Sequence, residues 1–194
     1  MVVSSPMNEE ELRNLMYTAQ LEKNAGTFSI RYPRGNGMLV DWKRPFREIK
    51  IGKGRQIKDG NDLAILSIGH PGNFALKAAV DLEKDGISAA VYDMRFVKPL
   101  DVDLIQSLAA DHDYFVTIED GAIAGGAGSA CLEALTKLGT QKPLLQLGLP
   151  DEFIEHGDYQ LLMTKCGLDV EGITNSIKQR FPAVSVANSV ISGK

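Results

Sequence analysis

From Leu63 to Phe181 the chain alternates between short apolar runs and longer stretches of helical periodicity, and few folds accept that pattern. Leu63 to Ile68, Ala89 to Met94, Tyr114 to Glu119 and Leu144 to Leu149 read as strands. Residues from about Pro71 to Lys84, Val102 to Ala110 and Gly128 to Leu138 read as helices, and Tyr159–Cys166 and Val170–Phe181 close the series. Pro71 suits a helix start and Gly86 a helix end. Strands that alternate with helices imply a mostly parallel sheet with helices on both faces. Lys53 to Lys58 reads as one more strand, joined to Leu63–Ile68 as a hairpin in which Gly60 supplies the turn of Asp59-Gly60-Asn61-Asp62.

The first forty residues carry a smaller pattern. Met1 to Ser4 is short and apolar, Asn8 and Glu11 have the spacing of a capping box, and Leu12, Leu15, Met16 and Ala19 recur at helical spacing up to about Asn24. Thr27 to Tyr32 follows as a strand. A β-α-β unit of this size cannot cover both of its faces, so it reads as the end of a larger domain. The expected organisation is therefore residues 1–37 as a remnant, 38–47 as a linker carrying Trp42 and Pro45, 48–181 as the main domain, and 182–194 as an aperiodic tail that frays or packs loosely.

Composition excludes several function classes. Hydrophobic residues make up 44% of the 194, enough for a buried core. The net charge is −4 and no basic cluster exceeds a few residues, which argues against a nucleic-acid surface. The start is not signal-like and no apolar run is long enough for a bilayer, so no membrane role and a cytoplasmic location are expected. Cys131 and Cys166 sit in helical patterns as small core residues. Three scattered histidines without a Cys-x-x-Cys argue against a metal site.

Four motifs carry candidate chemistry. Arg31-Tyr32-Pro33-Arg34-Gly35-Asn36-Gly37 places two guanidinium groups beside a turn after a strand, which suits a phosphate clamp or simply a strand end with two solvated arginines. Gly125-Gly126-Ala127-Gly128-Ser129 lies between a strand and a helix but misses both the dinucleotide and the P-loop spacing, so it reads as tight packing at a helix start. Glu119 and Asp120 precede it at a strand's C-terminal edge; acid–base work is conceivable there, a salt bridge or helix cap more ordinary. Asp93 to Asp101 clusters charge around Pro99, which could form a site or, more ordinarily, an ion network that locks a loop or subunit contact, with Asp101 capping the next helix. His70 and His112 read as caps or solvated, and His156 lies past a strand end in Gly148–Gly157.

In order along the chain, Arg31–Gly37, Asp93–Asp101, Val116–Ser129 and Gly148–Gly157 resemble the 1-deoxy-D-xylulose-5-phosphate synthase family of transketolase-like thiamine-diphosphate enzymes, from Met1 to about Phe181. The Asp93–Asp101 pattern is shared across the superfamily; the first and last are specific. The resemblance implies a transketolase C-terminal-domain-like α/β/α domain of three layers, with a mostly parallel, mixed five-stranded sheet, preceded by the end of the pyrimidine-binding domain. It also implies an enzyme that uses thiamine diphosphate and Mg2+, works as a homodimer, and joins pyruvate to D-glyceraldehyde 3-phosphate with loss of carbon dioxide. Arg34 would contact the acceptor's phosphate, with Arg31 as the other choice. The Gly-Asp-Gly that holds magnesium in this family does not occur here, and the resemblance implies that the glutamate that activates the aminopyrimidine lies upstream of Met1, with the cofactor bound by upstream domains. No cofactor, metal or catalytic residue is therefore expected on this chain, and by itself it is expected to be inactive and to serve subunit assembly. Two other readings stand beside this one: a non-catalytic interaction module of the same fold, and the C-terminal part of a 2-oxoacid dehydrogenase β-chain. The arginine motif weighs against the latter.

Overall fold

Along the central strands, alternate residues feed two separate cores, which is how a sheet covered on both faces must be built. The computed structural model describes residues 1–38, 40, 41, 43–182 and 184. In chain order the elements are β1 (Val2–Ser4), α1 (Glu9–Ala19), β2 (Phe28–Ile30), β3 (Arg55–Lys58), β4 (Leu63–Ile68), α2 (Gly72–Lys84), β5 (Ala89–Asp93), β6 (Phe96–Lys98), α3 (Val102–Asp111), β7 (Tyr114–Ala122), α4 (Ala127–Lys137), β8 (Leu144–Leu149), α5 (Tyr159–Lys165) and α6 (Val170–Arg180).

The main sheet runs β3-β5-β4-β7-β8, with β3 antiparallel and the others parallel. Leu63, Ile65, Val91, Val116 and Ile118 face α2, α5 and α6 through Ala75, Ala78, Leu82, Met163, Ile173 and Ile177. Ala64, Leu66, Tyr92 and Phe115 face α3 and α4 through Ile105, Leu108, Cys131 and Leu135. The three-layer α/β/α domain with a mixed five-stranded sheet is as the sequence implies. Each fully buried leucine or isoleucine contributes about 1.5–3 kcal/mol.

The expected hairpin does not form. β3 pairs with β5, so β5 lies between β3 and β4. The 59–62 segment passes across the start of β5, where Asn61 and Asp62 donate their amides to the Ser88 carbonyl. Gly60 is required for close approach rather than for turning: a Cβ there would lie 2.3 Å from the Ala89 carbonyl carbon.

The first unit gains a strand that its own sequence lacks. β1 pairs in parallel with β2 and antiparallel with β6, which belongs to the Asp93–Asp101 cluster. Phe96, the large apolar residue of that charged stretch, is fully buried with Leu15 and Ile49. α1 starts where the capping box indicated, Asn8 Oδ1 accepting from the Glu11 amide. The Glu11 carboxylate, however, turns to Arg55 and Arg95. Val184 packs into the main core beside Phe181; the rest of the expectation for the tail, like that for Trp42, lies outside the described residues.

Candidate functional site

In an open parallel sheet, ligands collect beyond the strand C-termini where the connections depart in opposite directions. Here that point lies between β4 and β7: the chain leaves β4 through α2 towards β5, and leaves β7 through α4 towards β8. His70 follows β4, and Glu119 and Asp120 lie near the end of β7. The arginine segment docks at this point.

The two arginines do different things. Arg31 extends the β1–β2 pairing, its amide donating to the Ser4 carbonyl and its carbonyl accepting from Ser5 Oγ. Its guanidinium holds Asp120, with Nη1 2.7 Å from the carboxylate and Nη2 donating to the backbone carbonyl. Arg34 is exposed, has no ion-pair partner among the described residues, and lines a cavity of about 440 Å3 that Arg31 does not line. The structure therefore does not bring the two onto one ligand.

The far wall of that cavity comes from the main domain. His70, Phe74 and Lys77 share one side of the start of α2, at the spacing that aligns side chains on a helix. Tyr159, the first residue of α5, closes the cavity with its hydroxyl 3.0 Å from His70 Nδ1 and its ring edge-on to the imidazole. Burial holds the His70 pKa below its ordinary value, favouring the neutral imidazole, and burial raises that of Tyr159, which keeps its proton. Asp158 caps α5, accepting from the amides of Gln160 and Leu161. His70 is thus a half-buried cavity residue, not only a helix-start residue. Its position one turn past a strand's C-terminal end was the available signal. Lys77 and Tyr159 carried none, because one looks like any solvated helix lysine and the other like a core aromatic.

The glycine turn is already filled. The Glu119 carboxylate accepts from the amides of Ala127 and Gly128 at 2.9 and 2.8 Å, at the start of α4. It thereby occupies the position that a phosphate would take at such a helix terminus. Gly126 makes room for it: a Cβ there would lie 2.6 Å from Glu119 Oε1 and 2.3 Å from the Ala122 carbonyl oxygen. Cap and salt bridge are the uses of Glu119 and Asp120 that the sequence favoured. Cys131 is on the buried face of the same helix, and burial pushes its thiol up to about 12, which makes it inert.

The Asp93–Asp101 cluster is an ion network. Arg95 adopts φ 60, and its guanidinium binds both oxygens of Glu11 while its carbonyl accepts from the Ser5 amide. Arg55 bridges Glu11 and Asp93. A non-glycine left-handed residue costs about 1–3 kcal/mol, and these contacts over-determine it. Burial, outweighing Arg55, raises the Asp93 carboxyl to about 6. Asp101 caps α3 and, with Asp103, holds Lys53, raising that ammonium to about 12. His112 ends α3 in a buried position with Nε2 3.1 Å from the Gly60 carbonyl oxygen, whereas His156 is exposed. Among the described residues no cluster of three histidine, cysteine or acidic side chains could hold a metal ion, and no helix is long and apolar enough to cross a membrane.

Comparison with known proteins fits this architecture. Residues 52–173 match the transketolase C-terminal domain family. The chain is 49% identical over 178 residues to the 1-deoxy-D-xylulose-5-phosphate synthase of Cytophaga hutchinsonii, covering 92% of this chain and 28% of that protein. It is 53% identical over 174 residues to the synthase of the same name from Bacteroides fragilis, covering 89% and 27%. The chain thus spans about a quarter of the length of these curated relatives. Among solved structures, a split-gene transketolase described as an inactive beta4 tetramer superposes with a TM-score of 0.80 at 29% identity, covering 94% of this chain and 58% of that one.

Proposed function

The chain belongs to the transketolase C-terminal domain family, within its 1-deoxy-D-xylulose-5-phosphate synthase branch, and on that premise we propose that it supplies the phosphate grip of such a synthase. The whole enzyme would join the two-carbon unit left by decarboxylation of pyruvate to the aldehyde of D-glyceraldehyde 3-phosphate, giving 1-deoxy-D-xylulose 5-phosphate. Arg34 would take the acceptor's phosphate. The observation that carries this is the division of labour between the arginines: Arg31 is committed to Asp120, while Arg34 lines a cavity beside His70, just past the end of β4, with no ion-pair partner among the described residues. Arg31 then acts as the latch that fixes the segment, not as a ligand.

The cofactor is proposed to be held by residues outside this chain. The amides of the glycine turn, which could have received a diphosphate, hold Glu119 instead, and the described residues offer no carboxylate cluster for Mg2+. Thiamine diphosphate therefore does not fit the residues present, and the chain alone is proposed to be inactive, its other role being the build-up of a homodimer. Calorimetry on the isolated chain checks this: micromolar binding of thiamine diphosphate would overturn it.

Kinetics of the intact synthase test the grip. A charge-assisted hydrogen bond contributes about 1.5–3 kcal/mol, so Arg34→Met should raise the KM for D-glyceraldehyde 3-phosphate roughly 10- to 100-fold and leave the KM for pyruvate unchanged. An equal rise for both substrates would defeat the assignment.

A further inference from the structure

We infer that Lys77 is a second cationic contact for the acceptor's phosphate, so that the phosphate is held between the arginine segment and the first turns of α2. This deepens the phosphate-grip reading and rests on it. Lys77 and Arg34 line the same cavity of about 440 Å3, one from the main domain and one from the segment docked on it. An exposed helix lysine can pair with a carboxylate one turn away. The candidate here, Asp81 at i+4, is taken by Lys84 at i+7, which leaves Lys77 without an ion-pair partner among the described residues.

The remaining lining leaves Arg34 and Lys77 as the cations of the cavity. Asp158 is the acidic residue among the lining side chains, and its Oδ1 is bound by two backbone amides of α5. His70, kept towards its neutral form by burial, contributes no charge of its own, and its Nδ1 faces the Tyr159 hydroxyl. Phe74 and Tyr159 contribute apolar wall beside the two exposed cations. The two cations are complementary: arginine offers a planar fork for two oxygens, and lysine a point charge for the third. A carboxylate substrate such as pyruvate needs only the fork. A phosphate monoester, at close to two negative charges, uses both.

The test compares D-glyceraldehyde 3-phosphate with unphosphorylated D-glyceraldehyde as acceptor in the intact synthase, for wild type, Lys77→Met, Lys77→Arg and Arg34→Met. Lys77→Met is expected to raise the KM for the phosphorylated acceptor about tenfold, as loss of one charged contact would. The KM for D-glyceraldehyde and kcat should stay within about twofold, and Lys77→Arg should recover most of the loss. If Lys77→Met leaves the phosphorylated-to-plain KM ratio at the wild-type value, Lys77 is not a phosphate contact. If Arg34→Met alone changes that ratio, this inference fails while the arginine assignment stands. If neither does, both fall. Titration of the chain itself with inorganic phosphate, followed by the NMR signals of the Lys77 side chain and the Arg34 amide, gives a readout independent of turnover. A response at Arg34 without one at Lys77 overturns the inference; a response at both supports it.

Discussion

The arginine segment and the glycine turn look alike in sequence: each follows a strand, each contains glycines, and each could be taken for an anion site. They differ in what their donors already hold. At the glycine turn, two backbone amides end on the protein's own Glu119 carboxylate, buried and complete. At the arginine segment, one guanidinium is spent on Asp120 and the other is left at an open cavity. The number of donors does not identify a binding site; the donors left over do.

The largest test of this contrast is removal of the internal anion. Glu119→Ala would strip the acceptor from two buried amides and should cost about 4 kcal/mol in urea unfolding, whereas a cost under ~1 kcal/mol would mean the turn needs no occupant. Asp93 separates burial from bonding, because it is as buried as Glu119 but accepts one backbone amide, from Arg95. Its carboxyl is raised from 3.8 to about 6, so the folded chain keeps a proton that the unfolded chain releases. The sign follows: stability from this group is complete below the unfolded value and is lost as pH rises through about 6, a total of about 3 kcal/mol. Denaturant midpoints measured at intervals between pH 4 and 7 should show that decline in wild type and not in Asp93→Asn.

Smaller effects sharpen the comparison. Gly126→Ala places a Cβ against Glu119 and the Ala122 carbonyl and should cost about 2 kcal/mol by thermal unfolding. Asp120→Asn releases Arg31 from a partly exposed bridge, at a cost under about 1 kcal/mol, with a KM rise for the phosphorylated acceptor smaller than that of Arg34→Met. Arg34→Met itself should leave the melting temperature within about 1–2 °C, because nothing in the fold leans on it. A stability loss as large as that of Glu119→Ala would make Arg34 structural and erase the distinction.

The main domain was legible because its strands are apolar on both faces and its helices keep their period. Asp101, Asn8 and Glu119 were readable for a similar reason: capping and bridging depend on residues nearby in sequence. What escaped was long-range pairing. Nothing local in Arg55–Lys58 says that its partner is β5 rather than β4, since the choice is made by where the 59–62 segment can cross. Phe96–Lys98 hid as a strand because charged neighbours surround it and its partner lies more than ninety residues earlier. At the site, the arginine motif was visible, but its division into latch and ligand was not. That division depends on Asp120, which is 89 positions from Arg31.

The pairing of β1 with β6 also bears on dissection of the molecule. The chain cannot be parted between residues 38 and 47 into two self-sufficient pieces, because the earlier piece borrows an edge from the later one. A truncation that keeps only residues 48 onward would bare Phe96 and the hydrogen-bonding rim of β6, a surface ready to recruit any stray extended peptide.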